Sequence, residues 1–271
     1  MERPTFPTPV TRNASVETSL HQQLKMLYAE EAGRVEVRLD TFRIDAVTET
    51  ELIEIQHGSL AAIRRKIRRL LGTHRVRVVK PLIAKKTLMK RAGKNRPAVR
   101  SRVSPKRATI LDLFDELIYF CDVFPHQNLV LEVPLVEVEE WRYSVSRNPR
   151  RRWRRKDEFI VEDQKLLTIV QTHEFRTCAD LLALLPNNLP APFHTGHLAA
   201  LLEIPRGVAQ KITYCLRHMR AITQVGKAGN ALLYELAISG RTKSGSRVQA
   251  AGGQSPAEPT GREKKPARRR A

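Results

Sequence analysis

The chain has 271 residues, 41% of them hydrophobic, and 48 Lys and Arg against 28 Asp and Glu give it a formal net charge of +20. No apolar run approaches the roughly 18 residues that a membrane-crossing helix needs, and the opening MERPTFPTPVTRN lacks the apolar centre of a secretory signal. A cytoplasmic, bacterial protein without a membrane partner is expected, with room for two packed domains. So much positive charge asks for a polyanion, nucleic acid first.

Residues 1–14 are rich in Pro and Thr and suggest no packed element, and a first unit is expected over 15–145. Ser15 can cap a helix carrying Val16, Leu20, Leu24, Leu27 and Tyr28 at helical spacing, with Glu17 at the edge of that stripe, ending before Gly33. RVEVRLD and FRIDAV alternate as two strands, and ELIEIQ makes a third with Leu52, Glu54 and Gln56 on one face. If Thr48 to Glu51 form the loop, antiparallel pairing sets Val47 opposite Leu52, Ala46 opposite Ile53 and Asp45 opposite Glu54. Directly opposed side chains lie about 5 Å apart, so two facing carboxylates destabilise the sheet unless a cation sits with them. A hard divalent ion such as Mg²⁺ or Mn²⁺ takes carboxylate oxygens; the plainer alternative is an exposed strand edge beside an arginine.

Ser59 then caps LAAIRRKIRRLL, whose Leu60, Ile63, Ile67, Leu70 and Leu71 face inward and whose Arg64, Arg65, Arg68 and Arg69 face out toward a polyanion. RVRVVKPLIA reads as a fourth strand, brought parallel to the third by a right-handed crossover. Helix, three strands, helix, strand, with Asp45, Glu54 and Gln56 on the motif positions and Glu17 on the first helix, resembles the PD-(D/E)XK nuclease superfamily over about residues 15–80. The resemblance implies a restriction-endonuclease-like α/β fold and metal-dependent hydrolysis of DNA phosphodiester bonds, with Mg²⁺ or Mn²⁺ held by Asp45, Glu54 and Glu17. The family's motif lysine is Gln56 here, and an amide can only hydrogen-bond where an ammonium carries charge. Lys66 on the following helix, or Lys80 on the fourth strand, could supply that charge, although a lysine on the polar side of an amphipathic helix is ordinarily solvated.

KKTLMKRAGKNRPAVRSRVSPKR, residues 85–107, is almost free of acids and reads either as a basic insertion lying along phosphates or as a solvated loop. ATILDLFDELIYFCDVF reads as a helix and NLVLEVPLVEVEEWRYSV as strands interrupted at Pro134. Cys121, Cys178 and Cys215, odd in number and far apart along the chain, read as reduced thiols rather than a disulfide framework or a zinc site.

By composition, residues 146–158 read as a basic linker, 159–238 as a second unit and 239–271 as a basic tail expected to be disordered. In the second unit DQKLLTIVQTHEF and TCADLLALLP read as helices, followed by a helix pair turning at Ile204 and Pro205 and by two short strands with Lys227 at their tip. That order resembles the winged-helix DNA-binding superfamily. The second helix of the pair turns Arg206, Gln210, Thr213, Tyr214 and Arg217 to one side, a face suited to a major groove, with Lys227 reaching the backbone. His194 and His197 lack a third ligand and read as capping residues. DNA is therefore the expected partner, with RNA, a second copy of the chain, and a non-catalytic regulator built on a degenerate nuclease domain all left open.

Overall fold

A computed structural model describes residues 18–32, 34–144 and 159–237. The chain divides into two units, Met1–Ala237 and Ile238–Ala271, and all described residues belong to the first. The expected helix cap at Ser15, Val16 and Glu17, the basic linker and the basic tail lie outside the described residues.

Helix α1 (Ser19–Ala32) is followed by an antiparallel meander of β1 (Arg34–Leu39), β2 (Phe42–Val47) and β3 (Leu52–Ile55). After a capped turn at Leu60–Ala62, helix α2 (Arg64–Leu70) carries the chain over to β4 (Val76–Val79), parallel to β3. The order helix, three strands, helix, strand is present, and two of the three expected pairs form, Val47 with Leu52 and Ala46 with Ile53; the ladder ends there, and Asp45 bonds the Ile55 N–H instead of lying paired opposite Glu54. The Ser59 hydroxyl accepts from the Ala61 N–H, which starts the turn as expected of a cap.

RVRVVKPLIA is not one strand. It breaks at Lys80–Pro81 into β4 and β5 (Leu82–Arg91), and the polar stretch expected as an insertion continues β5 and returns as β6 (Ala98–Val103). After helix α3 (Leu113–Leu117) comes β7 (Leu129–Ser144), an unbroken strand that runs through Pro134. Strands β4 and β5 pair with successive stretches of β7, Leu129–Glu132 and then Leu135–Tyr143. Pro134 falls in the gap between them, without a partner from β4 or β5, and lies opposite Thr172 of β8 on its other side.

The largest departure from expectation is β8 (Phe159–Phe175), a strand where DQKLLTIVQTHEF reads as a helix. It pairs antiparallel with β7 from Phe159 opposite Ser144 to Phe175 opposite Leu131, completing an eight-stranded mixed sheet. Three short helices follow, α4 (Cys178–Leu182), α5 (Thr195–Leu201) and α6 (Arg206–His218), then a separate hairpin of β9 (Ile222–Ala228) and β10 (Ala231–Leu236). Phe193 bridges to Tyr234 of β10, so the segment before α5 is tied to the hairpin. Thr177 and Asp180 form the capping box of α4, and His194 Nδ1 accepts from the Gly196 and His197 N–H groups at the start of α5, the capping role expected of it.

Apolar layers lie on each face of the sheet. On one, α2, α3 and α6 pack Ile67, Phe114, Leu117, Ile212 and Leu216 against Val76, Val78, Leu131 and Val133. On the other, Leu20 and Leu24 of α1 pack on Ala46, Ile53, Ile55, Val79 and Val138. The larger core runs from Val37 to Tyr234 and so includes residues of both units expected from the sequence. Among the described residues no helix is long and apolar enough to cross a membrane.

Candidate functional site

The site is built where the meander loses its regular ladder. Glu36 of β1 adopts a left-handed φ of 54°, a conformation a non-glycine residue enters only when its surroundings compel it. Pairing of β1 with β2 accordingly skips from Val35–Ala46 to Val37–Ile44, leaving Asp45 without a ladder partner there. Asp45 turns its carboxylate along the strand, and Oδ2 accepts from the Ile55 N–H of β3 at 2.9 Å. Its Oδ1 faces α1, with His21 Nε2 and Lys25 Nζ each 3.5 Å away. Lys25 also reaches Glu36 at 3.2 Å, and Arg43 pairs with Glu36 at 2.6 Å.

Glu54 faces the other helix. Lys66 Nζ of α2 lies 2.5 Å from its Oε2 and also donates to the Arg43 carbonyl. Asp45 and Glu54 are 9% and 7% exposed, so neither sits at an open strand edge. Burial pushes the Glu54 carboxyl up to about 7; the Lys66 charge opposes that rise and the Asp45 charge adds to it. For Asp45, burial also raises the pKa, but the hydrogen bonds from His21 and Ile55 and the charges of His21 and Lys25 outweigh it, holding the group below the ordinary 3.8. The two carboxylates therefore feel each other while being anchored from opposite helices.

Gln56 does not join them. Its amide donates to the Ser59 carbonyl at 2.9 Å, bracing the turn before α2. Lys80 is buried below that same turn, donating to the His57 and Gly58 carbonyls and pairing with Glu116 at 3.2 Å. It anchors the loop instead of supplying charge to Glu54, and burial, opposed by Glu116, lowers its pKa. Burial first, and then the charges of Lys80, Lys86 and His21, lowers the pKa of His57. Glu17 lies outside the described residues. Among the described residues no three His, Cys, Asp or Glu side chains gather as metal ligands.

Sequence reasoning missed His21, Lys25 and Glu36. The signal available was on α1: His21 and Lys25 are one turn apart and each directly follows a core residue, Leu20 and Leu24, so both sit at the margin of the buried stripe. It also missed a second charged cluster on β4. Arg77 Nε donates to Glu51 at 2.6 Å and Nη1 to Glu174 at 2.9 Å and to Glu132, which also accepts from the Tyr28 hydroxyl. A cavity of about 460 Å³ opens beside these groups.

The expected nucleic-acid contacts divide. Arg65, Arg68 and Arg69 of α2 are exposed, but Arg64 and Arg68 both pair with Asp122. On α6, Arg206, Gln210, Tyr214 and Arg217 are exposed, as is Lys227 on the hairpin. Thr213 is a correction: it is 3% exposed and its hydroxyl donates back to the Ala209 and Gln210 carbonyls. The buried side of α6 is wider than one stripe because it carries Ala209, Ile212, Thr213, Cys215 and Leu216.

The family model described as Domain of unknown function (DUF8091) matches residues 18–176, the span from α1 to the end of β8. A Treponema pallidum (strain Nichols) protein titled "Uncharacterized protein" is 27% identical over 239 residues, covering 87% of this chain and 91% of its own length. No solved structure matches the chain.

Proposed function

The chain belongs to the DUF8091 family, and we propose that it is a DNA-binding protein with a metal-dependent phosphodiesterase site at Asp45 and Glu54. The observation that carries this reading is the Lys66 ammonium 2.5 Å from the Glu54 carboxylate, within the electrostatic reach of Asp45. Two neighbouring acids and a lysine are the groups that the PD-(D/E)XK resemblance implies, with the lysine coming from α2 instead of position 56. The succession α1, β1 to β3, α2, β4 supports the same reading.

The donors suit a hard divalent ion, since both are carboxylates and part of the rise of Glu54 to about 7 comes from the charge of Asp45, which Mg²⁺ or Mn²⁺ held by the pair would relieve. When bound, such an ion supplies positive charge opposite a phosphate and acidifies a water. The chain's own residues do the rest. The Ile55 N–H fixes the orientation of Asp45, Glu54 can hold or release a proton near neutral pH, and Lys66, beside Glu54, would donate to a phosphate oxygen.

The winged-helix reading was expected over 159–238; Phe159–Phe175 belongs to the large sheet as β8, and what supports the reading in the remainder is α4, α5 and α6 with the β9–β10 hairpin and the Phe193–Tyr234 bridge. There Arg206, Gln210, Tyr214 and Arg217 would face DNA, with Lys227 on its backbone. A second reading, a non-catalytic DNA-binding regulator, is favoured by Gln56 being committed to Ser59 and by cations already standing against both acids. Incubation of the purified chain with linear, supercoiled and branched DNA plus Mg²⁺ or Mn²⁺ separates them. We expect cleavage by wild type, and loss of at least about 100-fold in the Asp45→Ala, Glu54→Ala double variant and in Lys66→Met. Equal products from all three would remove the catalytic reading, and metal-independent DNA binding without cleavage would establish the second.

A further inference from the structure

We infer that the exposed β5–β6 ribbon, with the adjoining part of β7, is a binding site for a nucleic-acid phosphate backbone, centred on the row Arg100, Lys90 and Arg142. Lys90 of β5 pairs directly with Arg100 of β6 on one side and with Arg142 of β7 on the other. Directly paired residues point to the same face, and neighbouring strands are about 4.8 Å apart, so three cations stand in line within roughly 10 Å. Arg102, two residues along β6, continues the same face. Like charges opposed across strands destabilise a sheet unless something of opposite sign lies over them.

The other cations of the ribbon are neutralised from within. Lys85 pairs with Glu137 at 3.0 Å, Lys86 with Glu140 at 2.5 Å and Arg91 with Glu162 at 2.8 Å. Among the described residues no carboxylate forms an ion pair with Lys90, Arg100, Arg102 or Arg142; Glu140, on the same face and bound to Lys86, feels the Arg142 charge without pairing with it. Lys90 and Arg142 lie instead over the ring of Phe159, at 5.5 and 4.4 Å from its centroid, and the buried Nε of Arg142 has no hydrogen-bond partner. An aromatic floor holds cations in place without discharging them. Every residue of β6 is exposed while Lys90 and Arg142 are half-buried, so the row is reached from solvent at its Arg100 end.

A linear array of unneutralised cations fits a linear polyanion. Duplex DNA carries one negative charge per about 1.7 Å of axis, so about six charges pass along a row of this length. The inference rests on the DNA-binding reading above and adds where the backbone is held, on a ribbon whose first strand begins two residues after the Lys80 that bonds the His57 carbonyl.

The test is fluorescence anisotropy of the full chain with a labelled DNA duplex, across about 50 to 200 mM salt. The proteins compared are wild type, Arg100→Glu/Arg102→Glu, and Arg206→Glu/Arg217→Glu on α6. We expect the ribbon variant to bind at least about tenfold more weakly and its log–log salt slope to be shallower by about 2. Arg100→Gln/Arg102→Gln replaces it if an acid on the edge strand lowers the melting temperature. If wild type binds and both ribbon variants match it in affinity and slope, the ribbon is not the site while the DNA-binding reading stands. If wild type binds neither duplex DNA nor RNA, or binds only vesicles containing phosphatidylglycerol, this inference and the reading beneath it both fall.

Discussion

The lower sheet, β2 to β4, and the ribbon of β5, β6 and β7 pose the same electrostatic problem and treat it in opposite ways. In the lower sheet each buried charge meets its opposite inside the fold: Glu54 with Lys66, Asp45 with Lys25, Arg77 with Glu51 and Glu174, Lys80 with Glu116. In the ribbon, a row of cations across three strands is left with an aromatic ring beneath it and solvent above. The difference teaches where stability and where binding reside. Buried charges must be paired for the chain to fold at all, whereas exposed charges can wait for a partner from outside.

Substitutions should therefore separate the two regions. The largest effect is expected at Arg77, whose removal leaves Glu51, Glu132 and Glu174 facing one another: Arg77→Met should cost about 3 kcal/mol or more in urea unfolding. Lys66→Met should cost less, about 1 to 3 kcal/mol, because Glu54 can take up a proton when its partner is lost. A smaller effect is expected from pH. The folded Glu54 carboxyl titrates at about 7 against an ordinary 4.5, so the folded chain holds more protons than the unfolded one in that window. The contribution of Glu54 to stability then falls as pH rises from about 4.5 to about 7, and Glu54→Gln should flatten that slope. Asp45 works the other way, its stabilisation being lost only on acidification below its ordinary 3.8. At the bottom of the scale, Arg100→Gln/Arg102→Gln should leave the melting temperature unchanged or slightly raised, within about 0.5 kcal/mol. A loss as large as that of Arg77→Met would erase the contrast between the regions.

The same contrast explains what was legible in the sequence. The meander, its register and the crossover to β4 follow from alternation and caps, because each strand has one face on a core. The ribbon has little core to face, so β5 and β6 carry no apolar period and read as a loop. Strand β8 read as a helix because Leu166, Leu167, Ile169 and Val170 fall at helical spacing. Three irregularities in its pairing with β7 shift the alternation, and a bulged strand loses its period of two. At the site, Asp45 and Glu54 were legible as a pair of acids on neighbouring strands. Lys66 was legible only as one of two candidates beside Lys80, since on a helical wheel it lies among solvated arginines, and the way α2 sits on the sheet decides between them by bringing it to Glu54. Gln56 was assigned by its place in the motif, but the turn that follows claims its amide.

The most direct measurement of the acid pair is calorimetric titration of Mn²⁺ into the full chain in buffers of different ionisation enthalpy, with Asp45→Asn/Glu54→Gln as the comparison. We expect wild type to take up the ion with release of close to one proton at pH 6 and almost none at pH 8, because the ion displaces the proton that Glu54 carries below about 7, and we expect no uptake by the double variant. Heats that are absent in wild type, or identical in the two proteins, would contradict a metal site at Asp45 and Glu54.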